Sequence, residues 1–207
     1  MEESLLMKDN SEGDGKAEIV MDYIMSYSLR HAVDKYLIEK PMLCRYCRYM
    51  LGVLLDDSSI TDNTKIESVK VWKEWQYMDL CVEVVIKVGE STQTYAILIE
   101  NKYYSKLREN QLVDYKKKFD EYYDNNKEVY VPKANRSYKL VTCHEQENIE
   151  EIYGIEIEKT KSEGKKGFKA LQFYDLLPEK FQHGDEKNYI YEETESDIFN
   201  EFWLRQW

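Results

Sequence analysis

Through residues 65–102 the spacing of apolar residues shortens from the helical 3.6 to the strand period of 2. KIESVKVWKEW, YMDLCVEVVIKV and TQTYAILIENK are rich in Val, Ile, Tyr and Trp and are separated by turn residues, which predicts three consecutive antiparallel strands. Gly89-Glu90, between the second and third, suits a two-residue type II′ turn with Gly at the first central position. With that turn, facing residue numbers sum to 179. Asp79 then lies opposite Glu100, and Lys102 projects from the same face about 6.6–6.8 Å further along. Leu80, Val82, Val84 and Ile86 fall on the other face with Ile97 and Ile99, an apolar surface for helices to cover. One register therefore buries the aliphatic residues and gathers the acids.

Helical spacing flanks this meander. From Ala17 to about Leu37, Ile19, Val20, Tyr23, Ile24, Tyr27, Ala32, Tyr36 and Leu37 recur near helical intervals, and Pro41 marks a break. A second helix to about Leu55 carries Leu43, Cys47, Met50, Leu51 and Leu54. After Ser105, Leu112, Tyr115, Phe119 and Tyr122 form one stripe. RSYKLVTC reads as a strand, ENIEEIYG as a short helix, GIEIE and FKALQF as edge strands, and Ser196–Trp207 as a closing helix with Ile198, Phe199, Phe202 and Trp203. A helix between the third strand and RSYKLVTC implies a parallel return by right-handed crossover. The expected fold is a mixed α/β sheet, a three-stranded meander plus a crossover strand, flanked by helices on both faces. It occupies one domain over about residues 16–207, with its core near 65–143 and a disordered leader at 1–15.

The chain has 207 residues, 29 Lys+Arg against 40 Asp+Glu, and a formal net charge of −11. That acidity first argues against a polyanionic partner. Its distribution weakens the objection: residues 1–20 hold 6 acids and 2 bases, residues 178–207 hold 8 and 3, and residues 102–139 hold 10 bases and 6 acids. Lys106, Arg108, Lys116 and Lys117 in that basic stretch are the candidates for phosphate contact. Four scattered cysteines and no signal-like or membrane-length apolar run predict a reduced, cytoplasmic protein with no membrane partner. Cys44-x₂-Cys47 with Cys143-His144 lacks zinc spacing and reads as buried thiols. His31 reads as structural.

Two facing carboxylates repel unless something compensates them, by about 0.2–1 kcal/mol even when solvated. Mg²⁺ suits the pair, because it takes oxygen ligands, keeps several waters and accepts one or two carboxylates alongside phosphate oxygens. A lysine beside it adds a point charge suited to a phosphate or an attacking water. The alternative is two solvated acids on an exposed sheet face.

Asp79, then Glu100-Asn101-Lys102 closing an apolar strand, then Gln111-Leu-Val-Asp-Tyr115 on the following helix, resembles the PD-(D/E)XK nuclease superfamily, in its branch with IENK and a QxxxY helix. The resemblance covers roughly residues 65–143 and implies a restriction-endonuclease-like core. It implies Asp79 and Glu100 as ligands of Mg²⁺, or of Mn²⁺ in its place, with the Asn101 backbone carbonyl as a third. Lys102 would orient or deprotonate a water or stabilise phosphate charge, and Gln111 would hydrogen-bond the active-site region, with Tyr115 supporting it or simply packing. Met78 stands where the family often has Pro, and the first-helix Glu is open between Glu18 and Glu74. The implied function is Mg²⁺-dependent phosphodiester hydrolysis, of DNA first and RNA second, with a homodimer as an option. The alternatives are a catalytically inactive nuclease-like domain that binds protein or nucleic acid, and a phosphohydrolase of small nucleotides.

Overall fold

A computed structural model describes residues 4–6, 14–161, 166–178 and 192–205. Three helices come first: α1 (Asp14–Arg30), α2 (Tyr36–Glu39) and α3 (Pro41–Leu55). The strands β1 (Lys65–Trp75), β2 (Met78–Val88) and β3 (Ser91–Lys102) follow, then α4 (Gln111–Asn125), β4 (Arg136–Thr142), α5 (Gln146–Thr160), β5 (Lys169–Gln172) and α6 (Asp197–Trp203). The five strands form one mixed sheet in the order β1-β2-β3-β4-β5, antiparallel through β3 and parallel from β3 to β5.

The second hairpin sets the register that matters. Leu80 faces Ile99 and Val88 faces Ser91, and of the two central turn residues only Gly89 has a positive φ, 61°, as a type II′ turn requires. In β1 the pairing shifts by one between Ile66 and Ser68, leaving Glu67 as the extra residue of a bulge.

Two cores lie on opposite faces of the sheet. Leu80, Val82, Val84, Ile97 and Ile99 pack with α1, α3 and α6, while Cys81, Ala96, Leu98 and Leu140 pack with α4 and α5. Because β3 is covered on both faces, its end from Ala96 to Lys102 is wholly buried, charged residues included. Among the described residues no helix is long and apolar enough to cross a membrane.

Several elements depart from what periodicity predicts. The first helix ends at Arg30, not near Leu37. The break is held by Arg48 of α3, whose buried guanidinium donates to the carbonyls of Ala32, Thr61, Asp62 and Thr64 and to Asp34 Oδ1 at 2.6 Å. A side chain that far along the sequence satisfies the Ala32 carbonyl and ties the turn to the loop before β1, so the helix need not continue. Within α1, Met21 and Met25 are inward while Ile19 and Tyr23 are exposed. In α4 the inward aromatic is Tyr123 rather than Tyr122, and its hydroxyl donates to Glu83 Oε1 at 2.9 Å. GIEIE is not an edge strand but the second half of α5, where Ile149, Tyr153 and Ile157 are buried one turn apart and Ile155 is exposed.

The closing helix is capped by Ser196, which accepts from the Phe199 amide at 3.3 Å, and Trp203 stacks on Phe173 with centroids 4.4 Å apart; Ile198 is exposed and Trp207 lies outside the described residues. Most of the expected leader also falls outside them, but the Leu5 amide donates to Glu201 Oε2 at 2.6 Å and α1 already begins at Asp14. Cys44 and Cys47 are free and buried, and burial raises both thiols. His31 Nδ1 lies 2.8 Å from the Tyr27 carbonyl, a side-chain bond at the C-terminal end of α1.

Candidate metal centre

The site forms where β2 begins and β3 ends. Continuing the observed register one step past Leu80 and Ile99 sets Asp79 beside Glu100. Asp79 Oδ2 accepts the Asn101 backbone amide at 2.8 Å, which locks the carboxylate against the neighbouring strand. Glu100 is 1% exposed. Its Oε1 accepts from Lys102 Nζ at 2.8 Å and from the Gln111 side-chain amide.

Gln111 opens α4, and its own Oε1 accepts the Arg108 amide at 2.9 Å, so the loop before the helix fixes which way the amide points. Tyr115 follows one turn later, 8% exposed, where burial and then the charges of Glu100 and Asp79 raise its phenol above the usual range.

The first helix closes the arrangement from the other face. Glu18 Oε2 lies 3.6 Å from Lys102 Nζ, and its Oε1 accepts the Tyr103 amide at 3.1 Å and the Ser105 hydroxyl. Asp22, one turn on, accepts from Asn101 Nδ2 at 2.6 Å. Asn101 points to the α1 side and Glu100 and Lys102 to the α4 side, as strand alternation demands, and the long lysine stem brings its ammonium round the sheet end to Glu18.

Four carboxylates and one ammonium thus share a small volume. Burial raises the Glu100 carboxyl well above its ordinary range, and Asp79 adds to the rise. Asp79 is raised by burial as well, with Lys102 and the Asn101 amide opposing. Asp22 is pushed up to about 7 by burial and then by Asp79. Lys102 is disfavoured as a cation by burial, but Glu100, Asp79 and Glu18 outweigh that and hold it above the usual lysine range.

One oxygen atom tests the fit of a cation here. Glu100 Oε2 is buried on the α4 side and accepts no hydrogen bond, while Asn101 Oδ1, likewise without a partner, lies on the opposite, α1 side of the sheet. Buried acceptors without a donor are rare and destabilising, and a positive ion relieves both the missing partner and the crowding of carboxylates. Among the described residues no three His, Cys, Asp or Glu side chains converge at ligand spacing. The oxygen set suits an ion that takes one or two carboxylates and completes its shell with water.

The remaining candidates lie apart. Glu74 is exposed at the end of β1 with φ 54° and joins none of these bonds. Lys106 is exposed. Arg108 is exposed and pairs with Asp114 at 3.2 Å. Lys116 is turned inward, pairing with Asp120 at 2.9 Å and sitting over the Tyr138 ring at 4.6 Å, and Lys117 lies 3.9 Å from Glu121. The basic count of residues 102–139 overstates the basic surface, because Lys133 and Arg136 also pair with acids of α4 and Lys139 with Asp56.

Asp22 is the site residue that sequence reasoning missed. Its one signal was its place four residues after Glu18, on the same face of a helix.

The model of one protein family, described as the PD-(D/E)XK nuclease superfamily, matches residues 5–191. No curated protein and no solved structure matches the chain.

Proposed function

Because the chain belongs to the PD-(D/E)XK nuclease superfamily, we propose that it is a divalent-cation-dependent nuclease that hydrolyses phosphodiester bonds, with DNA as the favoured substrate. The observation that carries this reading is Glu100. One of its oxygens is held by Lys102 and Gln111, and the other is buried without a partner in a cluster shared with Asp79.

Asp79, Glu100 and the Asn101 carbonyl would hold Mg²⁺ or Mn²⁺. When bound, the cation supplies Lewis-acid stabilisation of phosphoryl charge and makes water a better acid. Lys102, whose Nζ lies 2.8 Å from Glu100 and 3.6 Å from Glu18, would donate to a phosphate oxygen or orient the attacking water. Gln111 fixes the rotamer of Glu100 so that its free oxygen faces the shared volume. Glu18 anchors the strand-to-loop transition at Tyr103 and Ser105 and supports the ammonium.

Cleavage of plasmid and labelled oligonucleotides with Mg²⁺ or Mn²⁺, against a chelator control, tests this. Asp79→Ala, Glu100→Ala and Lys102→Ala should each lower the rate by about 10²-fold or more. Activity unchanged in all three variants contradicts the assignment.

A further inference from the structure

Which form of nucleic acid the site takes can be inferred from its surroundings, resting on the nuclease reading above. Two aromatic side chains lie just past the acids, at the same end of the sheet, where the strands that carry them begin and end. Tyr77 precedes Asp79 by two residues and is 82% exposed; Tyr104 follows Lys102 by two and is 50% exposed.

Tyr77 is tied to the site by a cation. Lys118 Nζ stands 5.6 Å from its ring and 6.0 Å from that of Tyr115, whose phenol lies within the influence of Glu100 and Asp79. Tyr104 is set by its neighbours, its ring 4.4 Å from Tyr103 and 5.1 Å from His144 between centroids. Both are held in place yet leave ring surface to solvent.

The backbone under Tyr77 points the same way. Gln76 and Tyr77 form the two-residue β1–β2 turn with φ of 53° and 71°. Glycine or asparagine takes such angles readily, whereas a bulky residue does so at a cost. A turn that holds an aromatic ring in water against its own backbone preference is a reason to look for a ligand.

Charge argues against a duplex. Recognition of double-stranded DNA leans on many phosphate contacts. Here Arg108, Lys116, Lys117, Lys133, Arg136 and Lys139 are all paired with acids, and the chain carries a net charge of −11. Base stacking on aromatic rings adds about 1–3 kcal/mol per base to whatever phosphate contacts remain, and it tolerates any sequence.

We propose that the sheet end carrying the Asp79–Glu100 pair takes single-stranded nucleic acid, with bases stacked on Tyr77 and Tyr104.

Fluorescence anisotropy in EDTA tests this, using labelled oligo-dT and oligo-U of about 15 nucleotides and a duplex of the same length. The single strands should bind at least about tenfold tighter than the duplex, and the two oligomers separate DNA from RNA preference. Tyr77→Ala and Tyr104→Ala should each weaken single-strand binding by about five- to hundredfold, while Tyr77→Phe and Tyr104→Phe retain it. Equal or tighter duplex binding overturns the proposal, as does wild-type single-strand affinity in both alanine variants. The assay needs neither cation nor cleavage. A failure of the nuclease reading in the cleavage assay therefore leaves this result standing, and cleavage with no single-strand preference removes only this proposal.

Discussion

Asp22 accepts a 2.6 Å hydrogen bond from Asn101 Nδ2, joining α1 to the residue between Glu100 and Lys102 across 79 positions of sequence. The bond makes the first helix part of the site. Asp22 is half-buried there beside Asp79 and Glu18, and burial and then Asp79 push its carboxyl up to about 7 against the lowering effect of the Asn101 bond.

A raised carboxyl binds its proton more tightly in the folded chain than in the unfolded one. The stability it contributes is fully present below about pH 4 and is lost as the pH rises through about 7. Urea unfolding in a chelator should therefore show stability falling between about pH 5 and pH 7. Asp22→Asn keeps an acceptor for Asn101 and should reduce that slope. An identical slope in the variant would argue that Asp22 does not carry the strain of the cluster.

Lys102 and Gln111 share one oxygen of Glu100 but should fail differently. Lys102→Ala removes the positive charge proposed to meet the phosphate and should lower single-turnover cleavage by about 10²–10³-fold. Gln111→Ala leaves that charge and loosens the carboxylate, so a smaller loss of about ten- to hundredfold is expected, with weaker Mn²⁺ binding. Equal losses, or Mn²⁺ affinity untouched by Gln111→Ala, would contradict the positioning role.

Away from the site, Asp120 joins α4 to β4. Burial alone would raise its carboxyl, but bonds from the Tyr138 hydroxyl at 2.6 Å, from Lys116 and from Arg136 outweigh it and hold the group below its ordinary range. Such a group stabilises the fold above its unfolded pKa, about 3.9, and that contribution is lost as pH falls through the lower folded value. Asp120→Asn should cost about 1–3 kcal/mol near pH 7 and less at about pH 3, by chemical denaturation. A loss of the same size at both pH values would refute the charge as its source.

The strained turn gives a test on stability alone. Replacing Gln76-Tyr77 by Asn-Gly relieves the positive φ at both positions while forfeiting the contact of Lys118 with the Tyr77 ring. A left-handed conformation costs roughly 1–2 kcal/mol per ordinary residue and an exposed cation–π contact returns about 0.5–1, so the double variant should gain on the order of 1 kcal/mol. By thermal denaturation that is about 2–4 °C. A lower Tm would mean that the ring, not the backbone, dominates there.

How much of this was legible depended on whether the controlling interaction was local. The β2–β3 register followed from alternation and a Gly-led turn, and it places Asp79 beside Glu100 without reference to any other part of the chain. Glu18 and Gln111 were visible as helical residues of suitable chemistry, and both reach the cluster. Asp22 was hidden because a lone acid in an amphipathic helix looks like a solvated one until the sheet end is built against it. The end of α1 depended on Arg48, a buried charge that periodicity cannot assign. Lys116 and Arg136 counted as basic surface in the sequence, yet both are spent on Asp120. GIEIE alternates like a strand, but Ile149, Tyr153 and Ile157 continue a helical stripe that a five-residue window misses.

Asp79 and Glu100 are proposed to hold a divalent cation together, through the Glu100 oxygen that accepts no hydrogen bond. Anomalous scattering from crystals soaked in Mn²⁺ measures this directly. A peak is expected about 2.1 Å from an Asp79 carboxylate oxygen and from Glu100 Oε2, absent in Glu100→Ala crystals soaked alike. No peak there at a Mn²⁺ concentration that saturates cleavage, or a peak bound by other residues, would contradict it.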